Sequence, residues 1–122
     1  MTQLIRQYSA INNSICIKEN YLLNGLLHND NGPATIFYNE NGYLHAEHYY
    51  QLNKLHRDNA PASIYYHDAN NRLAVSYKVF YQHGKKHNTN GPAILSYDIN
   101  GYITKKQYFF MGKQLNENDL AD

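Results

Sequence analysis

The chain has 122 residues and a formal net charge of +1, a length that fits one domain and a charge too small to make nucleic acid the first expected partner. Its apolar bulk is mostly tyrosine, thirteen against four phenylalanines and no tryptophan, and its single cysteine, Cys16, excludes an intramolecular disulfide framework. No run approaches the ~18 apolar residues of a membrane span, and the first residues lack the apolar stretch of a signal peptide, so the expected setting is the cytoplasm.

Taken in chain order, residues 1–20 are expected to supply capping strands, around Leu4–Tyr8 and around Ile15–Ile17, with Cys16 buried between isoleucines. From there to residue 115 one motif is written three times: His-Asn-Asp-Asn-Gly-Pro-Ala from His28 to Ala34, His-Arg-Asp-Asn-Ala-Pro-Ala from His56 to Ala62, and His-Asn-Thr-Asn-Gly-Pro-Ala from His87 to Ala93. Pro33, Pro61 and Pro92, the only prolines in the chain, share one slot in it.

After each proline comes a five-residue run, Ala34–Tyr38, Ala62–Tyr66 or Ala93–Tyr97. The first, third and fifth places always hold Ala, then Ile or Leu, then Tyr. One constant face at period two is a strand packed on one side. Turn sequences follow, Asn39-Glu40-Asn41-Gly42 and Asp98-Ile99-Asn100-Gly101, and the returning strands end in aromatics such as Tyr49-Tyr50 and Phe80-Tyr81. A second tight turn, such as Asn24-Gly25, His83-Gly84 or Met111-Gly112, suits a type I′ hairpin. The middle copy is longer between His67 and Ala74, which predicts a longer loop or a bulge there.

No segment carries a helical period. The predicted fold is therefore all-β: a single-domain antiparallel meander of stacked hairpins, three to four repeats over residues 21–115, followed by a frayed acidic tail at 116–122.

The stretch from Tyr49 to Ala62 resembles a MORN-variant repeat, the type with a Tyr-Tyr-x-Asn-Gly-Lys-x-His-Arg-x-x-Gly-Pro-Ala core, and the likeness extends over about residues 21–115. The resemblance implies a meandering sheet of hairpins used for protein or lipid-surface contacts. The His-Arg-x-x-Gly-Pro-Ala version is similar to repeats in bacteriophage and large-virus proteins, which implies a mobile-element accessory protein in the host cytoplasm. Only the second copy keeps both His56 and Arg57; Asn29 and Asn88 replace the arginine elsewhere.

Catalytic and metal chemistry find little footing. One histidine per hairpin keeps His28, His56 and His87 a strand pair or more apart, whereas zinc needs about four converging ligands. They are expected to hydrogen-bond loop backbone and fix the turn before the proline. No Gly-x-Gly precedes a helix, and Cys16 has only Lys18 as a nearby base. Neither enzyme activity nor a cofactor is expected.

Charge is more informative. Glu19 to Asp68 carries six acids and two bases, while Arg72 to Lys113 carries seven bases and one acid. Lys85, Lys86, Lys105 and Lys106, with Lys78, Lys113, Tyr81, Tyr102 and Tyr108, are expected to form a basic, tyrosine-rich partner-binding surface. The expected partner is a protein with an acidic surface, which this chain would occlude, for example as an anti-CRISPR or other defence inhibitor. Single-stranded nucleic acid or an anionic membrane surface is the alternative. Unpaired strands at the sheet ends also point to a homodimer.

Overall fold

The computed structural model describes residues 2–68, 73–116 and 119, and it is all-β, an antiparallel meander in one domain. β1 (Gln3–Tyr8) pairs with β2 (Cys16–Leu23), whose end also holds the two-residue β3 (Leu26–Leu27). β4 (Thr35–Tyr38) and β5 (Leu44–His48) form the next hairpin, and a small one follows from β6 (Tyr50–Gln51) and β7 (Lys54–Leu55). The pattern recurs with β8 (Ser63–Tyr66) and β9 (Val75–Val79), then β10 (Tyr81–Gln82) and β11 (Lys85–Lys86). It closes with β12 (Ile94–Tyr97), β13 (Ile103–Phe110) and β14 (Lys113–Leu115).

The long strands lie side by side in the order β1-β2-β4-β5-β8-β9-β12-β13, every pair antiparallel, with β14 beyond β13. β1 and β13–β14 stand at opposite ends of that order, so the sheet is open.

Each small hairpin turns through two residues of positive φ: Asn24 and Gly25, Leu52 and Asn53, His83 and Gly84, Met111 and Gly112. That is the type I′ geometry whose twist matches a two-residue hairpin. At Gly84 an added Cβ would meet only the Lys54 methylenes, at 3.8 Å, so backbone conformation rather than space favours glycine there.

The longer turns are built differently. The Asn39 side-chain oxygen accepts the N–H groups of Asn41 and Tyr43, at 2.9 and 3.0 Å, and Asp98 does the same for Asn100 and Tyr102. A register shift stands beside each of these turns, at Phe37/Tyr38 and Ser96/Tyr97, and two more at Gln7/Tyr8 and Tyr65/Tyr66. The bulge expected only in the middle copy is thus a feature of all four long hairpins. In that copy His67 N–H donates to Ala74 C=O at 2.7 Å, while residues 69–72 of the expected longer loop lie outside the described residues.

Residues directly opposite one another share a face and successive residues alternate. One row therefore runs Leu4, Tyr21, Ala34, Tyr49, Ala62, Phe80, Ala93, Tyr108. Its backbone bonds alternate between neighbours, as in Tyr49 N–H to Ala62 C=O at 2.6 Å and Phe80 N–H to Ala93 C=O at 2.7 Å. The three alanines, each just after a proline, are fully covered, flanked in their row by large side chains. Ala46, Val79, Ile94, Thr35 and Ser63 are buried on the other face. Cys16, expected to be buried, is only half-covered; it is the first residue of β2, opposite Tyr8, beyond the point where β2 pairs with β4. At the other terminus Asp119 N–H returns to Asn116 C=O at 3.1 Å; residues 117, 118 and 120–122 of the expected frayed tail lie outside the described residues.

Candidate partner-binding surface

The motif histidines link one unit to the next. The Nδ1 atoms of His28, His56 and His87 accept the backbone N–H of Leu52, His83 and Met111, at 3.2, 3.0 and 2.9 Å. Each donor is the first residue of the following I′ turn. An accepting Nδ1 assigns the proton to Nε2, which faces Asp30 Oδ1 at 3.0 Å from His28 and Asp58 Oδ1 at 3.1 Å from His56. The histidines thus bond loop backbone, as expected, and the loop that each reaches lies 24–27 residues further on.

The residue after each histidine ties down the proline instead. Asn29, Arg57 and Asn88 donate to the carbonyls of Pro33, Pro61 and Pro92 at 3.1, 3.2 and 3.0 Å. The arginine of the second copy thus makes the same bond as asparagine, and its guanidinium also lies 3.8 Å from the Tyr49 ring centre.

Two surfaces remain for a partner. The first carries the row Arg6, Glu19, Ile36, Glu47, Ile64, Lys78, Leu95, Lys106, set by the strand registers. Tyr38 donates to Glu19 at 2.6 Å and Tyr66 to Glu47 at 2.6 Å; in the corresponding place Lys78 Nζ stands 5.3 Å from the Tyr97 ring centre. The hydrogen bond from Tyr38, with that from Arg6 at 2.9 Å, holds the Glu19 carboxyl below its ordinary range despite partial burial. Burial, and then the neighbouring carboxylate, pushes the Tyr38 and Tyr66 hydroxyls up. The charge of this row changes from acidic to basic between Glu47 and Lys78.

The opposite face carries an aromatic cluster. His48 lies between Phe37 and Tyr65, with ring centres 5.8 and 5.2 Å away, and Tyr65 meets Tyr77 edge-on at 6.1 Å. His48 Nδ1 is 2.7 Å from Ser63 Oγ, and burial holds its pKa below the ordinary histidine value. The folded chain therefore favours the neutral ring, whereas the unfolded chain takes up a proton below about pH 6.5. This contribution to stability is intact above that pH and is lost as pH falls from there through the depressed folded value. Urea melts near neutrality and near pH 5 check the sign: the gap between the native chain and His48→Gln should shift in favour of the variant on acidification, and a pH-independent gap would refute it.

The nine predicted contact residues do not make one patch. Lys105 and Lys106 are successive in β13 and so project to opposite faces; Lys106 shares its row with Leu95 and Lys78, Lys105 with Ser96 and Tyr77. Tyr81 and Lys86 face each other across β10–β11, and Lys86 Nζ lies 5.2 Å from the Phe109 ring centre. Lys85 and Lys113 occupy hairpin tips, Tyr108 belongs to the alanine row, and Tyr102, 72% exposed, sits in the last long turn. Sequence proximity had grouped what strand alternation separates.

Sequence reasoning missed a cleft of about 490 Å³ at the turn end, lined by Leu73, Val75, Lys78, Tyr97, Ile99 and Ile103. Leu73 and Ile103 are 66% and 50% exposed, and the only signal in the sequence was apolar residues standing in turn positions. Among the described residues no cluster of three or more His, Cys, Asp or Glu side chains is placed to hold a metal, and no helix is long and apolar enough to cross a membrane. Protein-family models, curated proteins and solved structures, each compared with this chain, give no match.

Proposed function

We propose that this chain is a non-enzymatic protein-binding module of the MORN-variant type, a phage or mobile-element accessory protein that docks on a host protein in the cytoplasm and occludes it, as a defence inhibitor would. The observation that carries the reading is the row from Glu19 to Lys106. It is half-covered as far as Leu95 and exposed at Lys106, studded with Ile36, Ile64 and Leu95, and basic at its C-terminal end. Isolated aliphatic side chains between fixed charges offer contact area together with register, and fixed charge selects a partner of the opposite sign. The matching partner presents acids to Lys78 and Lys106.

Binding of a polyanion is the second reading, favoured by the highly exposed Tyr102 in the turn leading into the strand of Lys105 and Lys106. Affinity capture from the producing cells, with native chain and a Lys78→Glu, Lys106→Glu double variant side by side, tests the first. A protein retained by the native chain and lost by the variant is expected. Recovery of the same proteins by both would defeat the reading. Titration of a labelled oligothymidylate and of anionic vesicles at low and high salt tests the second, whose mark is steep loss of binding with salt.

A further inference from the structure

Among the described residues, the first part of the last long strand has no strand on its outer side. Among the described residues β14 pairs with β13 only at Tyr108, Phe109 and Phe110. From Ile103 to Gln107 the outer edge has no strand beside it among the described residues. Gln107 C=O accepts Ala93 N–H from β12 at 2.9 Å, so by strand alternation the N–H and C=O of Lys106 point outward. This open stretch begins beside the cleft of Leu73, Ile99 and Ile103 and ends at Tyr108, opposite Leu115 at the end of β14.

We propose that this edge receives an extended segment of a partner protein, added antiparallel to β13 as a continuation of the β14 ladder. The segment carries two adjacent acidic residues opposite Lys105 and Lys106 and an aliphatic side chain at its Ile103 end. The proposal rests on the protein-binding reading above and names the partner's chemistry.

Three observations favour that occupant. Consecutive lysines place one ammonium on each face, so only neighbouring acids on an incoming strand satisfy both. Lys78 stands two strands further in, across Leu95 in the Lys106 row, and adds to the positive field. The apolar cleft offers cover to an aliphatic group where the lysines end. A second copy of this chain fits poorly: its exposed edge strand, β1, would bring Arg6 to the lysines instead of acids. Edge lysines by themselves keep sheets apart; here they also select what can pair.

The test is an amide NMR titration of the full chain with acetyl-Thr-Val-Thr-Glu-Glu-Val-Thr-Val-amide and with the same peptide carrying Lys-Lys at the centre. The acidic peptide should slow amide exchange and shift resonances at Thr104–Gln107 and in the cleft, and bind roughly tenfold more tightly than the basic one. Lys106→Gln, which keeps the N–H, should weaken binding about three- to fivefold. Lys106→Pro, which loses both charge and donor, should abolish it, with an unchanged melting profile as the check on folding. Arg6→Gln on the far edge should leave it unchanged. Equal binding of the two peptides, shifts centred on β1, or concentration-dependent shifts at β13 without peptide would each overturn the proposal. Should lysate capture remain sensitive to Lys78 and Lys106 while the peptide leaves β13 unmoved, strand addition falls and the protein-binding reading stands; loss of both defeats both.

Discussion

Replacing Ala62 with leucine is expected to destabilise the fold by about 2–3 kcal/mol, the upper range for forcing extra methylenes into a filled space. Ala62 is fully covered, its C=O accepts Tyr49 N–H at 2.6 Å, and its N–H donates to Val79 C=O at 2.9 Å. The backbone is thus clamped on both sides, and the side chain has Tyr49 and Phe80 for row neighbours. Neither strand can retreat without breaking a ladder bond. Urea unfolding should show a midpoint lower by roughly 1–2 M with little change in slope. Ala34→Leu and Ala93→Leu occupy the same slot and should behave alike. A change within about 0.5 kcal/mol, the range of ordinary surface substitutions, would mean that the space above the methyl is open.

The second large effect is expected at His28. Its side chain is 9% exposed, its Nδ1 accepts Leu52 N–H, and its Nε2 faces Asp30. His28→Ala removes a buried ring and leaves a donor unpaired in a turn whose Leu52 already holds φ at 46°, a conformation leucine rarely adopts. The expected loss is about 2–3 kcal/mol, from lost packing and the stranded N–H together. His28→Asn separates the two causes, because an asparagine side-chain oxygen occupies nearly the place of Nδ1 and keeps the acceptor. It should recover close to half of the loss. Thermal melts decide: if Asn is no better than Ala, the bond to Leu52 contributes nothing beyond packing.

The hairpin architecture was legible because its punctuation is local. Pro33, Pro61 and Pro92 sit in register, and Ile36, Ile64 and Leu95 hold the constant face, so a reader of residues alone can place the strands. Bonds between units were not legible. Nothing near His56 in the chain announces that its ring receives the N–H of His83, because that pairing exists only once two hairpins stand side by side. The same limit applied to charge. Lys105 and Lys106 look like a cluster in the sequence, but a strand sends them to opposite faces, and only alternation applied to residues 103–107 divides them. The bulges were equally hidden, since Asn39 and Asp98 reveal a turn without saying how the ladder meets it.

The contacts that join units have a consequence for size. His28 reaches forward to Leu52, His56 to His83 and His87 to Met111, while Asn53, Gly84 and Gly112 donate their N–H groups back to the carbonyls of Leu27, Leu55 and Lys86. These donors and acceptors are of the same kind at every junction, so excising the middle segment would present His83 to His28 in place of Leu52 and Gly84 to Leu27 C=O in place of Asn53, with the loss of the Leu27 N–H bond to the Asn53 side-chain oxygen. These bonds run only between adjacent segments, the pattern from which nearest-neighbour cooperativity is expected in stacked arrays. The length of the sheet and the ratio of anionic to cationic side chains can be altered by gene duplication or loss, while the way each segment folds stays the same.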